Sequence, residues 1–188
     1  MMKVLNYFDY NSVVILSFFF ISLLALVLNY LTKGKSNKIL FSSYRSSVLN
    51  PLTYIRLITH IFGHADFNHF MNNFLYILLV GPMIEEKYGS KNLVLMILIT
   101  ALITGLLNNI FSKNKMILGA SGIVFMLIIL SSFVNIKAGT IPITLILICI
   151  FYVVNEILQG IFKKDDVSHI GHLIGAICGF IFGFYIFK

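Results

Sequence analysis

The sequence predicts an all-α membrane protein: one domain over residues 1–188, folded as a compact bundle of six transmembrane helices. Three observations predict it. Hydrophobic residues make up 59% of the 188 and charged residues only 11%, with a mean hydropathy of +0.94. Soluble domains carry roughly a quarter charged residues. The apolar residues also fall into runs long enough to cross a bilayer core of about 30 Å, which takes about 20 helical residues. Finally, the hydrophilic breaks between the runs are short, so consecutive helices must pack as neighbours.

The first expected span, 12–31, is unbroken by charge. It reads as a span rather than a secretory signal, because the stretch is long and no small-residue cleavage pattern follows. Residues 32–63 carry Lys33, Lys35, Lys38, Arg45 and Arg56 among aromatic and aliphatic residues. This segment is too polar to span and too apolar to be fully solvated, which predicts a loop lying at the membrane surface. The remaining spans are expected at 67–84, 92–111, 121–136, 140–158 and 169–187.

The net charge of +7 does not indicate nucleic acid. The 14 Lys and Arg residues are scattered over the short breaks, with no basic block or stripe that could track phosphates. Charges so placed anchor helix ends at lipid headgroups. Cys149 and Cys178 both lie inside apolar runs and read as small buried hydrophobes rather than a disulfide or metal site.

Within the fourth span, "LGASGIVFML" (118–127) places Ser121 between Gly119 and Gly122. From 121 to 136 is 16 residues, about 24 Å of helix, too short to cross the core. If the end at Lys137 reaches one face, residues 114–120 must dip below the other as non-helical backbone. Such backbone survives only where protein buries it or a water-filled cavity solvates it. Water is therefore expected near Ser121. A serine at a helix start is also a preferred N-cap. The flanking glycines, however, leave room for a close helix and a substrate, and the helix N-terminus offers N–H groups to an oxyanion.

Intramembrane polar residues are functional candidates by default. All five histidines (His60, His64, His69, His169 and His172) lie around the start of the second span or of the sixth, and Asn72 and Asn73 sit inside the second. In "SHIGHLIGAICGFIFG", Gly171, Gly175, Gly179 and Gly183 recur every four residues, a smooth stripe that lets two membrane helices approach closely. His172 shares much of that face and so points into the bundle, either as a packing residue or as a base for Ser121. No acid occupies an obvious third position, so a Ser121/His172 dyad is expected. In "THIFGHADFNHFMNN" the pairs His60/His64 and His69/Asn73 are each four apart and would share a face if helical. Zinc at His60 and His64 is the lesser reading, since the general-base Glu of an H-E-x-x-H helix is absent. His69 and Asn73 offer N–H donors suited to an oxyanion hole.

In this order and on this span pattern, the residues resemble the rhomboid intramembrane serine proteases. The resemblance runs from about Ser12 to the C-terminus. It rests on His60, His64, His69 and Asn73, on Gly81 and Glu85 in "GPMIEEKYGS", on Gly119-Ala120-Ser121-Gly122, and on His172 with Gly175 and Gly179. It implies that Ser121 is the nucleophile and His172 the general base, later the acid for the leaving amine. His69, Asn73 and the Ser121 backbone N–H would hold the oxyanion, supported by Gly119, Gly122, Phe125, Gly175 and Gly179. It implies cleavage of single-span membrane proteins in or beside the bilayer, preferring small residues at the cleavage site and helix-weakening residues beyond it. It implies no metal or organic cofactor, a membrane-lying first loop, and a gate and cap formed by the fifth span and the loop after it.

Two positions depart from the family pattern. Phe125 stands where a Tyr commonly stacks on the catalytic His, and Ile55-Arg56 where a Trp-Arg pair often lies. With both termini cytoplasmic, as the resemblance implies, Lys3, Lys87, Lys91, Lys137 and Lys188 fall inside, against the positive-inside rule; much of the outside excess sits in the first loop. A bare six-span core fits a bacterial cytoplasmic membrane. Two other functions compete. A non-cutting relative that binds membrane clients would typically have lost the Ser or the His, and both are present. A small transporter or channel would need paired interrupted helices in corresponding halves, which are absent.

Overall fold

The computed structural model describes residues 10–111, 115–136, 140–162 and 168–186. Among them the chain is helical, without a strand. Its elements are α1 (Val13–Leu31), α2 (Lys35–Ile39), α3 (Pro51–Thr59) with a 3-10 turn at His60–Phe62, α4 (Phe67–Tyr88), α5 (Ser90–Phe111), α6 (Ser121–Ser131), α7 (Ile143–Phe162) and α8 (His169–Ile181). The middle of α7, Cys149–Val154, and the turn after α8, Phe182–Ile186, are π-helical.

Helices α1, α5 and α7 are long and apolar enough to cross a membrane. They turn Phe20, Leu24, Leu102, Phe151 and Phe162 outward, an apolar surface suited to lipid rather than water. Together with the apolar α6 and α8, this makes the chain a multi-pass membrane protein. Helix α4 has 22 residues, and its last turns carry Glu85, Glu86 and Lys87.

Several boundaries differ from expectation. Helix α6 ends at Ser131, five residues before 136, because its ladder tightens to three-residue bonds, Ser132 N to Ile129 O and Phe133 N to Leu130 O. Helix α7 starts at Ile143 rather than 140 because Pro142 is extended and biases its predecessor away from helix. It runs on to Phe162. Residues 114 and 187, and Lys3, Lys137 and Lys188 of the charge count, lie outside the described residues.

Helix α6 is apolar all round and buries Ile123, Val124, Met126, Leu127, Ile128, Ile129 and Leu130, as the central helix of a bundle must. It packs on α8, α4 and α5. The core around it gathers Phe70, Phe74, Ile77, Met96, Ala101, Ile174 and Cys178. Glu85 ties two helix ends together. Its carboxylate accepts from Val14 N at 3.0 Å, Ile15 N at 3.2 Å, and the hydroxyls of Ser12 at 2.5 Å and Ser90 at 2.6 Å. A carboxylate at the start of α1 complements the helix dipole, which gives the Glu85 of "GPMIEEKYGS" a structural role.

Segment 32–63 is folded, not extended. Asn50 caps α3 by accepting from Leu52 N at 3.0 Å, and Pro51 opens it. Arg56, 2% exposed, donates to Ser46 Oγ at 2.6 Å and sits 4.3 Å over the Tyr44 ring. The Arg of Ile55-Arg56 is thus the hub of the loop, while Val48, Leu49, Tyr54 and Ile55 face outward.

Candidate active site

Non-helical backbone leads to Ser121, and the protein pairs it and buries its last two residues, Gly119 and Ala120. Ile117 forms an isolated bridge with Ser43, N to O at 2.8 and 2.9 Å. Asn108 donates to Ser43 O at 3.3 Å and to Lys115 O at 3.2 Å, and Gly119 N donates to His60 O at 2.9 Å. This non-helical backbone is therefore hydrogen-bonded by the first loop and α5 as it passes from the exposed Met116 to the buried Gly119 and Ala120. A cavity of about 30 Å³, lined by His60, Thr104, Gly119, Ser121, Gly122 and Ser168, adjoins it. Its polar lining and size suit a single water molecule.

Gly119 has φ +116°, a conformation that a side chain would strain. A methyl group there would also lie 2.7 Å from His69 Nε2 and 3.5 Å from Asn73 Nδ2. His69 and Asn73, one turn apart on α4, thus both face the backbone just before Ser121. Asp66 sets the start of that helix by accepting from His69 N at 2.8 Å.

His64 holds Asn73. Its Nδ1 lies 3.2 Å from Phe62 O, so it donates there, leaving Nε2 to accept from Asn73 Nδ2 at 3.1 Å. Burial pushes the His64 pKa down to about 4, keeping the ring neutral as this arrangement requires. His60 does not share a helix face with His64. The 3-10 turn ends at Phe62 and Gly63 is extended, so the two rings part. His60 bonds Arg56 O at 3.2 Å and lies 3.4 Å from Thr104 Oγ1. Its pKa is likewise lowered by burial to about 4.

The glycine stripe locks α8 onto α6. A methyl group at Gly175 would overlap the carbonyl oxygen of Gly122, one at Gly122 would lie 3.3 Å from Gly171 O, and one at Gly179 would lie 2.7 Å from Met126 O. His172 sits between Gly171 and Gly175, against the helix turn that Ser121 begins. Phe125 stacks on its ring, centroids 4.6 Å apart and planes 9° from parallel. Among the described residues no hydrogen bond joins Ser121 to His172. Catalytic contacts are often loose without substrate and tighten in the complex.

Sequence reasoning missed one residue. Glu156, on α7, places Oε1 2.5 Å from His172 Nδ1 and 2.6 Å from His169 Nδ1. Gly160 lets α7 and α8 meet here, since a methyl group on it would lie 3.1 Å from His169 Cβ. With Nδ1–H donating to the carboxylate, His172 carries its lone pair on Nε2, where it can accept a proton. The signal was present in the sequence: an acid inside the expected span 140–158 is costly and marks a site.

The family model described as the Rhomboid domain matches residues 51–188. Rhomboid-like protein 11, chloroplastic, of Arabidopsis thaliana is 28% identical over 142 residues, covering 68% of this chain and 51% of the relative. RHOMBOID-like protein 1 of the same plant is 30% identical over 142 residues, covering 74% of this chain and 36% of the relative. Rhomboid-related protein 1 of Caenorhabditis elegans is 26% identical over 140 residues, covering 70% and 39%. The chain spans about half of the first of these relatives and less than half of the other two.

Proposed function

Since the chain belongs to the rhomboid family, we propose that it is an intramembrane serine protease cleaving single-pass transmembrane proteins, with Ser121 as nucleophile and His172 as base. The observation that carries this reading is the environment of His172: Phe125 stacked on its face, Glu156 at its Nδ1, and its helix locked onto Gly122. A lone packing histidine needs none of the first two.

In the proposed reaction, Ser121 Oγ attacks the scissile carbonyl as His172 Nε2 takes the hydroxyl proton. The carbonyl oxygen becomes an oxyanion, held by the Ser121 N–H with His69 and Asn73. Collapse breaks the C–N bond, and the proton on His172 goes to the leaving amine. Water then attacks the acyl ester, its proton taken by His172 and returned to Ser121. Glu156 stays ionised, orients the imidazole and stabilises its cation. This third member extends the dyad expected from the sequence.

In the same reading the chain crosses the bilayer six times, with segment 32–63 in the membrane surface and α7 as the lateral gate. The outward Val48, Leu49 and Tyr54 support the surface placement, and the sparse burial of α7 supports the gate. The loop that would cap it, 163–167, lies outside the described residues. The relatives come from a plant and a nematode and add nothing for a bacterial cytoplasmic membrane.

The test is cleavage of a single-span reporter by purified protein in lipid, with Ser121→Ala and His172→Ala alongside. Cleavage abolished in both variants is the expected result. Cleavage surviving Ser121→Ala overturns the mechanism. A wild type that binds reporter without cutting it supports the client-binding reading instead.

A further inference from the structure

Glu156, His169 and His172 each turn one ligand atom toward the others, all within 4.8 Å. From this cluster we infer that the chain carries an inhibitory site for a borderline divalent metal ion of the zinc class, built on its own catalytic histidine. The inference rests on the proposed protease reading for its consequence, but not for the binding itself.

The donor set decides the class of ion. Two imidazole nitrogens and one carboxylate oxygen match three-ligand zinc sites, with water in the fourth position. Magnesium and calcium seek six or more oxygens and find one carboxylate here. The geometry is nearly formed. Zinc bonds of about 2.1 Å in a tetrahedron separate ligand atoms by about 3.4 Å, so the O···N contacts of 2.5 and 2.6 Å must open by less than about 1 Å. His169 and His172, three apart on α8, present their Nδ1 atoms to the same point. Both rings are partly exposed, with side chains 12% accessible, so an ion can reach them.

Binding would remove the base by a proton count that balances. A metal takes the Nδ1 lone pair of each neutral imidazole, so the proton formerly on Nδ1 moves through water to Nε2. None is released or consumed overall. His172 then presents Nε2–H to Ser121 instead of a lone pair and accepts no proton. The same ion would tie α7 to α8 through Glu156 and resist opening of the gate.

The experiment uses untagged full-length protein in phosphatidylcholine vesicles. Cobalt(II) is added alone and read by the visible absorption of a tetrahedral site, then displaced with zinc. Separately, a fluorophosphonate is reacted with and without zinc or magnesium, followed by a chelator. We expect saturable cobalt absorption, labelling suppressed by zinc but not magnesium, and recovery on chelation. His169→Asn should weaken metal binding by about tenfold or more and shift the inhibiting zinc concentration equally, each variant being compared with its own metal-free rate. Glu156→Gln is a second variant for the cobalt arm and should weaken the absorption similarly. No cobalt site, or His169→Asn and Glu156→Gln proteins that bind as wild type, overturns the inference. A wild type unlabelled even without metal would instead overturn the protease reading, while cobalt absorption still decides the metal site.

Discussion

Glu156 Oε1 lies 2.5 Å from His172 Nδ1, joining the sparsely buried α7 to the helix that the glycine stripe anchors at the centre of the bundle. The acid comes from the helix proposed as the gate and the proposed base from the core. Displacing α7 would therefore also loosen the imidazole.

Glu156→Gln keeps the shape but removes the charge that stabilises a His172 cation. It should lower kcat by between about 10²- and 10⁴-fold with little change in KM, since the carboxylate lies behind the base. Steady-state cleavage of a reporter measures the split. A variant impaired mainly in KM would place Glu156 in substrate binding instead.

Phe125 contributes a ring face and no hydroxyl. Phe125→Tyr should retain activity within about threefold, whereas Phe125→Ala, losing a stacked pair worth about 0.5–1.5 kcal/mol, should fall by about tenfold. Equal losses in both would argue that the stacking is incidental.

Gly175→Ala would drive a methyl group into the Gly122 carbonyl, which belongs to backbone and cannot swing aside. It should destabilise by about 1–3 kcal/mol or more and abolish cleavage. Ile177→Ala, on the outward face of the same helix, should change little. Thermal unfolding in one lipid or detergent compares the two.

His60 and His64 set a pH dependence of stability. In the folded protein burial holds both near a pKa of about 4, against an ordinary 6.5 when unfolded. Between those values the unfolded chain takes up protons that the folded chain refuses, so stability falls as pH drops through that window and levels off below it. Apparent Tm from pH 7.5 down to 4 should show the fall, and His60→Gln should flatten it. A flat wild-type curve would contradict the burial of these rings.

How much of this was legible in the sequence follows from where the information lies. Ser121 with its flanking glycines, and His172 with Gly175 and Gly179 at helical spacing, sit in short local patterns. That the backbone before Ser121 is non-helical and needs partners is legible from length alone, because a short span leaves a deficit that something must fill; in the fold Ser43, Asn108 and His60 pair it. Glu156 was not assigned a role because its pairing depends on how α7 packs against α8, and nothing local to "VVNEILQG" fixes that angle. The end of α6 is not legible because Phe133, Val134 and Ile136 continue the apolar run while the hydrogen bonds have already changed register. His60 and His64 were paired by a helical spacing that the break at Gly63 abolishes.

The most direct measurement is the site and rate of fluorophosphonate modification in lipid, mapped by mass spectrometry for the wild type and His172→Ala. We expect a single adduct on Ser121, formed at least about 10²-fold more slowly in His172→Ala. An adduct on another residue, or one forming on Ser121 at the wild-type rate in His172→Ala, would contradict this expectation.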